Sequence, residues 1–415
     1  MKEISGGVCA PRGFKAGGIW CGIKAASTKR DLALIYSEKN CTAAAMFTTN
    51  RVKAASVIVS QEHIARGKLH AIIANSGNAN ACTGAAGLAS ARRMAELAAD
   101  EFAISPRDVA VASTGVIGVP FPIAAVENSI GALANSLRGD EAGHAAALDA
   151  IMTTDTRKKE VSVEIELGGG ATGGGVPVRI GGMAKGSGMI CPNMATMLCF
   201  LTTDAAISRE LLEASLRRAT ERSFNRLIVD GDTSTNDAVI ILANGAAGAP
   251  LIESESAEYA VFADALEACC VKLARAMARD GEGATKLVTV TVSGAGDEKT
   301  AEKLAKSIAA SNLVKAACFG ADANWGRILC AMGYSGAEFD PGQTGVRFKS
   351  AAGEIAVCSG GQPLSFSEED AKRILLEEEI EILVDTGSAA ENGSATAWGC
   401  DLSYDYVKIN GDYRS

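Results

Sequence analysis

Residues 183–204 read Met-Ala-Lys-Gly-Ser-Gly-Met-Ile-Cys-Pro-Asn-Met-Ala-Thr-Met-Leu-Cys-Phe-Leu-Thr-Thr-Asp. A small residue, Ala195, precedes a hydroxyl residue, Thr196, which opens an apolar run. A Gly-, Pro- and Asn-bearing stretch with a single cation, Lys185, leads into it. A threonine in this setting can attack the carbonyl of the residue before it and cut its own chain. The cut leaves Thr196 with a free α-amine beside its hydroxyl, a nucleophile and its base in one residue. The competing reading is plainer. Ala-Thr pairs are common, and a β-branched residue at the head of an apolar run ordinarily belongs to a strand.

The whole string decides between the two. Lys185-Gly186-Ser187-Gly188-Met189, a short Pro-containing link, then Ala195-Thr196-Met197-Leu198 resemble the autoprocessing segment of the ornithine acetyltransferases, the glutamate N-acetyltransferases of arginine biosynthesis. Cys191 stands where that family often carries Ala. The resemblance runs from Gly7 to Ser415, with residues 168–175 its most divergent part. It implies cleavage between Ala195 and Thr196 into an α chain, 1–195, and a β chain, 196–415. It further implies transfer of an acetyl group from N2-acetyl-L-ornithine to L-glutamate through acetyl-Thr196. One pocket serving both substrates in turn predicts ping-pong kinetics. No metal or organic cofactor is expected. Some members of the family also take acetyl-CoA as donor, and no residue here decides that point.

Attack on a carbonyl creates an oxyanion, which needs donors. Thr114-Gly115 closes an apolar run, and read alone it is a strand-ending turn. Beside a nucleophile, the Thr114 hydroxyl and the Gly115 N–H suit the oxyanion, since glycine lets backbone approach closely. The resemblance implies this role. An amino-acid substrate needs a cation for its carboxylate, and Lys185, eleven positions before Thr196, is the natural one. The resemblance also implies that Thr153 binds substrate, where the residues alone would equally admit Thr154. Glu282 is expected to bind the substrate amine or tune the base, with Asp280 as its local competitor. A chain terminus ordinarily frays. The resemblance instead folds this one into the site, with Asn410 and Ser415 contacting substrate.

Other strings fail as chemistry. The glycines of 168–175 have a strand rather than a helix after them, so they do not cradle a nucleotide. Gly67-Lys68 is followed by Leu69, not the Ser or Thr of a P-loop. The 230–237 loop starts like a calcium site but has Thr235 at its sixth position and Ile241 at its twelfth, where Gly and Glu are needed. It reads as a polar loop with Asx-type turns; the match of its string to the family leaves support of the site from behind as the alternative. Asn75–Asn80 and 320–327 also match the family, without an assignable role.

Composition narrows the partners. The chain has 415 residues, enough for one large or two medium domains, and a net charge of −9 that argues against nucleic acid. Its 12 cysteines show no CxxC, and the N-terminus has no apolar signal core. With no run long enough to span a membrane, the expected setting is the cytoplasm, with reduced, mostly buried cysteines. His63, His70 and His144 have no metal-ligand spacing.

Periodicity predicts strands at 56–60, 71–74, 109–112, 161–167, 176–180, 197–202, 286–292, 314–319, 379–384 and 395–402. It predicts helices at 88–102, 123–137, 141–152, 209–222, 256–279, 300–310 and near 368–376. Cys269 and Cys270 fall on the apolar face of the 256–279 helix. The mixture is α/β of the α+β kind, without strict βαβ repetition, and Gly296-Asp297-Glu298-Lys299 suggests a smaller C-terminal domain over about 297–390. The resemblance implies a layered helix–sheet–sheet–helix fold of the ornithine acetyltransferase and DmpA type, related to but topologically distinct from the N-terminal nucleophile hydrolases. It also implies associated α and β chains, two of each. The rival readings are an amidase or aminopeptidase of related architecture, which passes the acyl group to water, and a non-catalytic binding protein.

Overall fold

The computed structural model describes residues 1–24, 27–168, 174–191, 197–387 and 393–411. Ala195, Thr196 and Ser415 therefore lie outside the described residues. The chain divides into two compact units: Met1–Gly186, Asn193–Phe224 and Thr233–Leu273 in the first, Ser187–Pro192, Asn225–Asp232 and Ala274–Ser415 in the second.

The first unit carries β1 (Lys2–Glu3), β2 (Phe14–Ile19), β3 (Leu32–Phe47), β4 (Lys68–Asn78), β5 (Val109–Val116), β6 (Lys159–Leu167), β7 (Val176–Lys185) and β8 (Leu198–Thr203). After β9 (Leu227–Ile228), which belongs to the second unit, β10 (Ala238–Ala243) completes it. The hydrogen-bonded order is β1-β6-β7-β8-β10-β3-β4-β5, with β2 also on β3. The long β3 joins two layers. Residues 32–36 pair with β2 and β4, residues 42–47 pair with β10, and the register slips between Tyr36 and Cys41.

Alternation along the strands explains the layering, because successive side chains point to opposite faces. Ala33, Ile35, Ile72, Ala74, Ala110 and Ala112 meet Met183, Leu198, Phe200, Ile240 and Leu242 in one buried cluster between the layers. Their neighbours Leu32, Leu34, Ala71, Ile73, Val109 and Val111 face the other way. They pack with Ala55, Val59, Ala91, Met94 and Ala98 from the helices Ala55–Ile64 and Gly84–Phe102. On the outer face of the second layer Cys199 lies beside Cys269, and Gly182 lies against Leu273, both on the helix Ala257–Arg279. Helix, sheet, sheet and helix are thus stacked in that order.

The run Ser56-Val57-Ile58-Val59-Ser60, expected as a strand, is helical. Ala55, Ser56, Val59, Ser60 and His63 are buried at helical spacing, with Val57 buried in a separate cluster, so tertiary burial overrides the β-branched propensity. This helix serves the exposed edge of β5. The Ser60 hydroxyl donates to Val111 O at 2.6 Å and accepts from Val111 N at 2.7 Å. A ring nitrogen of His63 meets Val109 O at 2.8 Å. These contacts brace the strand that ends in Thr114-Gly115. The expected 123–137 helix is two short ones, Ile123–Glu127 and Ile130–Asn135.

The second unit holds β9 with β11 (Leu287–Ala295), β12 (Gly345–Ser350), β13 (Gly353–Ser359), β14 (Gln362–Pro363), β15 (Glu379–Asp385) and β16 (Gly393–Cys400), ordered β14-β13-β12-β15-β11-β16-β9. Val288, Val290, Val292, Ile380, Ile382 and Val384 bury one face against the helices Glu298–Ala310, Trp325–Gly333 and Glu368–Leu375. Asp297, expected near a boundary, caps the first of these, accepting from Thr300 N at 2.7 Å. The stretch 314–319, expected as a strand, is the helix Asn312–Phe319, whose start Ser311 caps from Val314 N. Among the described residues no helix is long and apolar enough to cross a membrane. All 12 cysteines are free, and burial pushes the Cys269 thiol up to about 12, so it packs as a thiol.

Candidate active site

Strand order and register assemble the first unit's share of the expected residues. β7 and β8 are antiparallel with Lys185 opposite Leu198, and β8 and β10 are parallel with Leu198 opposite Ala238. The end of β7 and the starts of β8 and β10 therefore share one end of their layer. In the facing layer, β4 and β5 run parallel with Ser76 opposite Thr114 and Gly77 opposite Gly115. The two layers meet where Lys185 Nζ donates to Thr114 Oγ1 at 3.3 Å, and both residues are buried. A lysine donates only. It occupies a lone pair of the hydroxyl and leaves the hydroxyl proton for another acceptor.

Gly115 has φ +132°, a conformation that L side chains rarely adopt. A Cβ there would stand 2.5 Å from Asn78 N, inside the bulge where β4 and β5 change register. Gly115→Ala is expected to lower stability by about 1–3 kcal/mol, through backbone strain of the kind tolerated only at special positions. Thermal unfolding checks it.

Asp155 ties this region together, and sequence reasoning missed it. Its Oδ1 accepts from Lys159 Nζ at 2.6 Å and from Gly186 N at 2.7 Å, and its Oδ2 accepts from Thr153 N at 3.0 Å. One carboxylate thus links Thr153 to β6 and to the residue after Lys185. Burial by itself raises the pKa of Asp155. The charges of Lys185 and Lys159, with the Lys159 and Gly186 hydrogen bonds, overcome burial and hold it well below the ordinary carboxylate range. The only hint in the sequence is the spacing Asp155–Lys159, which lies outside any regular periodic element.

Breaking a buried pair leaves an uncompensated charge, so Asp155→Asn is expected to cost on the order of 3–5 kcal/mol at pH 7. A depressed folded pKa contributes stability above the unfolded value of about 3.9, and that contribution is lost as pH falls further. The gap between wild type and variant should therefore narrow in acid, which denaturant titrations at pH 7 and pH 3 measure. A gap of equal size at both would contradict the ion pair.

Lys24 is a second residue that sequence reasoning missed. Its ammonium donates to Met152 O at 2.8 Å, one residue before Thr153. Burial lowers its pKa to about 8, with Lys29 and Lys185 pushing the same way and Asp31 and Asp155 opposing. Lys24, Lys159 and Lys185 around Asp155 leave the region locally cationic although the chain is acidic. Nothing in the periodicity around Lys24 signals this, because Asp31 shapes the loop by accepting the Cys21, Gly22 and Lys24 amides.

The 230–237 loop divides between the units. In the second, Asp230 accepts Met189 N at 2.6 Å and Ile190 N at 2.8 Å, so its carboxylate holds backbone. In the first, Asn236 Nδ2 donates to Ala79 O and Ser113 O at 2.7 and 2.8 Å, stitching the family-like 75–80 string to the residue before Thr114. Also in the second unit, Glu282 and Asn410 come together, Asn410 Nδ2 donating to Glu282 Oε2 at 2.9 Å. Glu282 N donates to Ser187 O at 2.7 Å, and a Cβ on Gly188 would overlap the Glu282 carboxylate. Each unit thus gathers its own set: Thr114, Gly115, Lys185 and Thr153 in one, Glu282 and Asn410 in the other.

The ArgJ family model matches residues 15–415. The chain belongs to the ArgJ family. It is 52% identical over the full length of both chains to "Arginine biosynthesis bifunctional protein ArgJ" of Symbiobacterium thermophilum. It is 49% identical to "Glutamate N-acetyltransferase" of Methanothermobacter thermautotrophicus, over 100% of this chain and 99% of that one. Among solved structures, the ArgJ of Bacillus halodurans is 45% identical with a TM-score of 0.48, covering 51% of this chain and 97% of that one. The resemblance read from the ArgJ-like strings at 185–198 thus extends over almost the whole sequence.

Proposed function

We propose that this ArgJ family chain cleaves itself between Ala195 and Thr196 and then moves an acetyl group from N2-acetyl-L-ornithine to L-glutamate. Thr196 attacks the Ala195 carbonyl, an ester forms by N-to-O acyl shift, and water cleaves it. The freed α-amine has a reference pKa of about 7.7–8.0, so near neutral pH a useful fraction accepts the hydroxyl proton. Thr196 then attacks the acetyl carbonyl of the donor. The Thr114 hydroxyl and Gly115 N–H receive the oxyanion, ornithine departs, and glutamate takes the acetyl group from acetyl-Thr196. Lys185 meets the substrate carboxylate. Thr153, Glu282, Asn410 and Ser415 hold the rest of the substrate, with Glu282 facing the amine.

The observation that carries this reading is the Lys185 ammonium on Thr114 Oγ1 at 3.3 Å. In this reading the carboxylate partner stands beside the oxyanion donor, and the hydroxyl proton is left for a developing negative charge. Product analysis tests the reading: N-acetylglutamate should form only when acetylornithine and glutamate are both present. Acetate release at an equal rate without glutamate would make the chain an amidase instead. We further propose that the 1–195 and 196–415 pieces stay associated, two of each, and work in the cytoplasm. Native mass measurement checks the assembly.

A further inference from the structure

Thr153 stands just past a helix end and is held there by two side chains. The helix Glu141–Ile151 stops where Met152 turns to extended backbone, with φ −66° and ψ 144°. The planar peptide group that follows joins the Met152 carbonyl to the Thr153 N–H. The Lys24 ammonium donates to its oxygen, Met152 O, at 2.8 Å, and Asp155 Oδ2 accepts from its nitrogen, Thr153 N, at 3.0 Å. A peptide plane gripped at both its oxygen and its N–H cannot swivel about the line joining its two Cα atoms. The grip restrains ψ of Met152 and φ of Thr153, and so the direction in which the Thr153 side chain leaves the backbone.

Lys24 is itself anchored along its length. Asp31, fully buried, accepts the Cys21, Gly22 and Lys24 amides and sets the backbone of the loop. The Lys24 stem lies over Gly77, where a Cβ would stand 2.7 Å from Lys24 Cγ, and Gly77 is opposite Gly115 on β5. The ammonium makes a second hydrogen bond, to Arg30 O at 3.1 Å. Its charge is kept against burial, which lowers the pKa to about 8; Lys29 and Lys185 push the same way, while Asp31 and Asp155 oppose. A lysine with a lowered folded pKa is a cost to stability wherever it is charged, below pH 8 included. Stability of the fold therefore gives no reason for a cation at this place.

We propose that Lys24 is a positioning residue for substrate binding: with Asp155 it clamps the Met152–Thr153 peptide group and so fixes the Thr153 side chain that binds the amino-acid substrate. Lys24 acts through Thr153 and takes no part in the acetyl transfer itself. This rests on Thr153 contacting substrate, as proposed above. A contact made alike in the ground state and the transition state changes KM and leaves kcat alone.

Lys24→Met keeps an unbranched stem and removes the donor. The KM for N-acetylornithine, measured with glutamate in excess, should rise about tenfold, the worth of one hydrogen bond, with kcat near that of the wild type. Lys24→Gln, a second variant without the charge, should shift KM in the same direction, and Lys24→Arg, which keeps a charged donor, should recover most of the loss. Thr153→Val should raise KM by a similar factor. Adding Lys24→Met to Thr153→Val should raise it no further, because the clamp then has no hydroxyl to place. A wild-type KM in both Lys24→Met and Lys24→Gln, or a fully additive rise in the double variant, overturns the assignment. An unchanged KM in Thr153→Val overturns substrate binding by Thr153 instead, so the two failures are distinguishable.

Discussion

Thr196→Ala should remain a single polypeptide of about 42.5 kDa and should transfer no acetyl group. Both losses come from the same atom. The hydroxyl makes the N-to-O shift, and the same hydroxyl later carries the acetyl group, so its removal leaves neither step a nucleophile. The fall in kcat should reach the background of the assay, with thermal unfolding close to that of an uncut wild-type fold. Thr196→Ser is the informative companion, since it keeps the hydroxyl and should still be cut and still turn over at a reduced rate. Two pieces from Thr196→Ala, on a denaturing gel, would move the scissile bond elsewhere.

Thr114→Val should lower kcat about 10²–10³-fold, the usual cost of removing one oxyanion donor. Valine replaces the hydroxyl by a methyl group of similar size, so β5 should keep its pairing with β4 and its brace from Ser60. The Lys185 ammonium loses its acceptor in this variant, and part of the effect belongs to that contact. Thr114→Ser restores both the donor and the acceptor and should stay within about tenfold of the wild type. A drop confined to KM in Thr114→Val would assign the hydroxyl to substrate binding rather than to the transition state.

The sequence reveals a large part of this fold because its strands read as short apolar or alternating runs. The 109–112 and 161–167 runs fall within β5 and β6. The long helices announce themselves by period, and the helix Arg209–Arg222, capped by Ser208, spans the range expected for it. The helix Ala55–Ile64 was hidden by a local β-branched run and the helix Asn312–Phe319 by a short, mostly apolar one; only the tertiary structure supplies their burial patterns. The two-layer role of β3 was hidden too, because a strand that changes partners midway has no local signature.

Thr114, Lys185 and Glu282 stand out through their strings. Asp155 and Asp237 do not, since each accepts a backbone amide from a residue far away in the chain. Such carboxylates look like loop polarity until strand register brings their partners in. Asp237 depends on β8 and β10 lying parallel, and β10 itself shows no alternation because all six of its residues are buried.

The most direct test of the central claim is the intact mass of the separated 196–415 piece after incubation with N-acetylornithine and no glutamate. The account predicts one acetyl group on that piece, mapped to Thr196, and its discharge when glutamate is added. An unmodified piece during active transfer, or an acetyl group on any other residue, would contradict it.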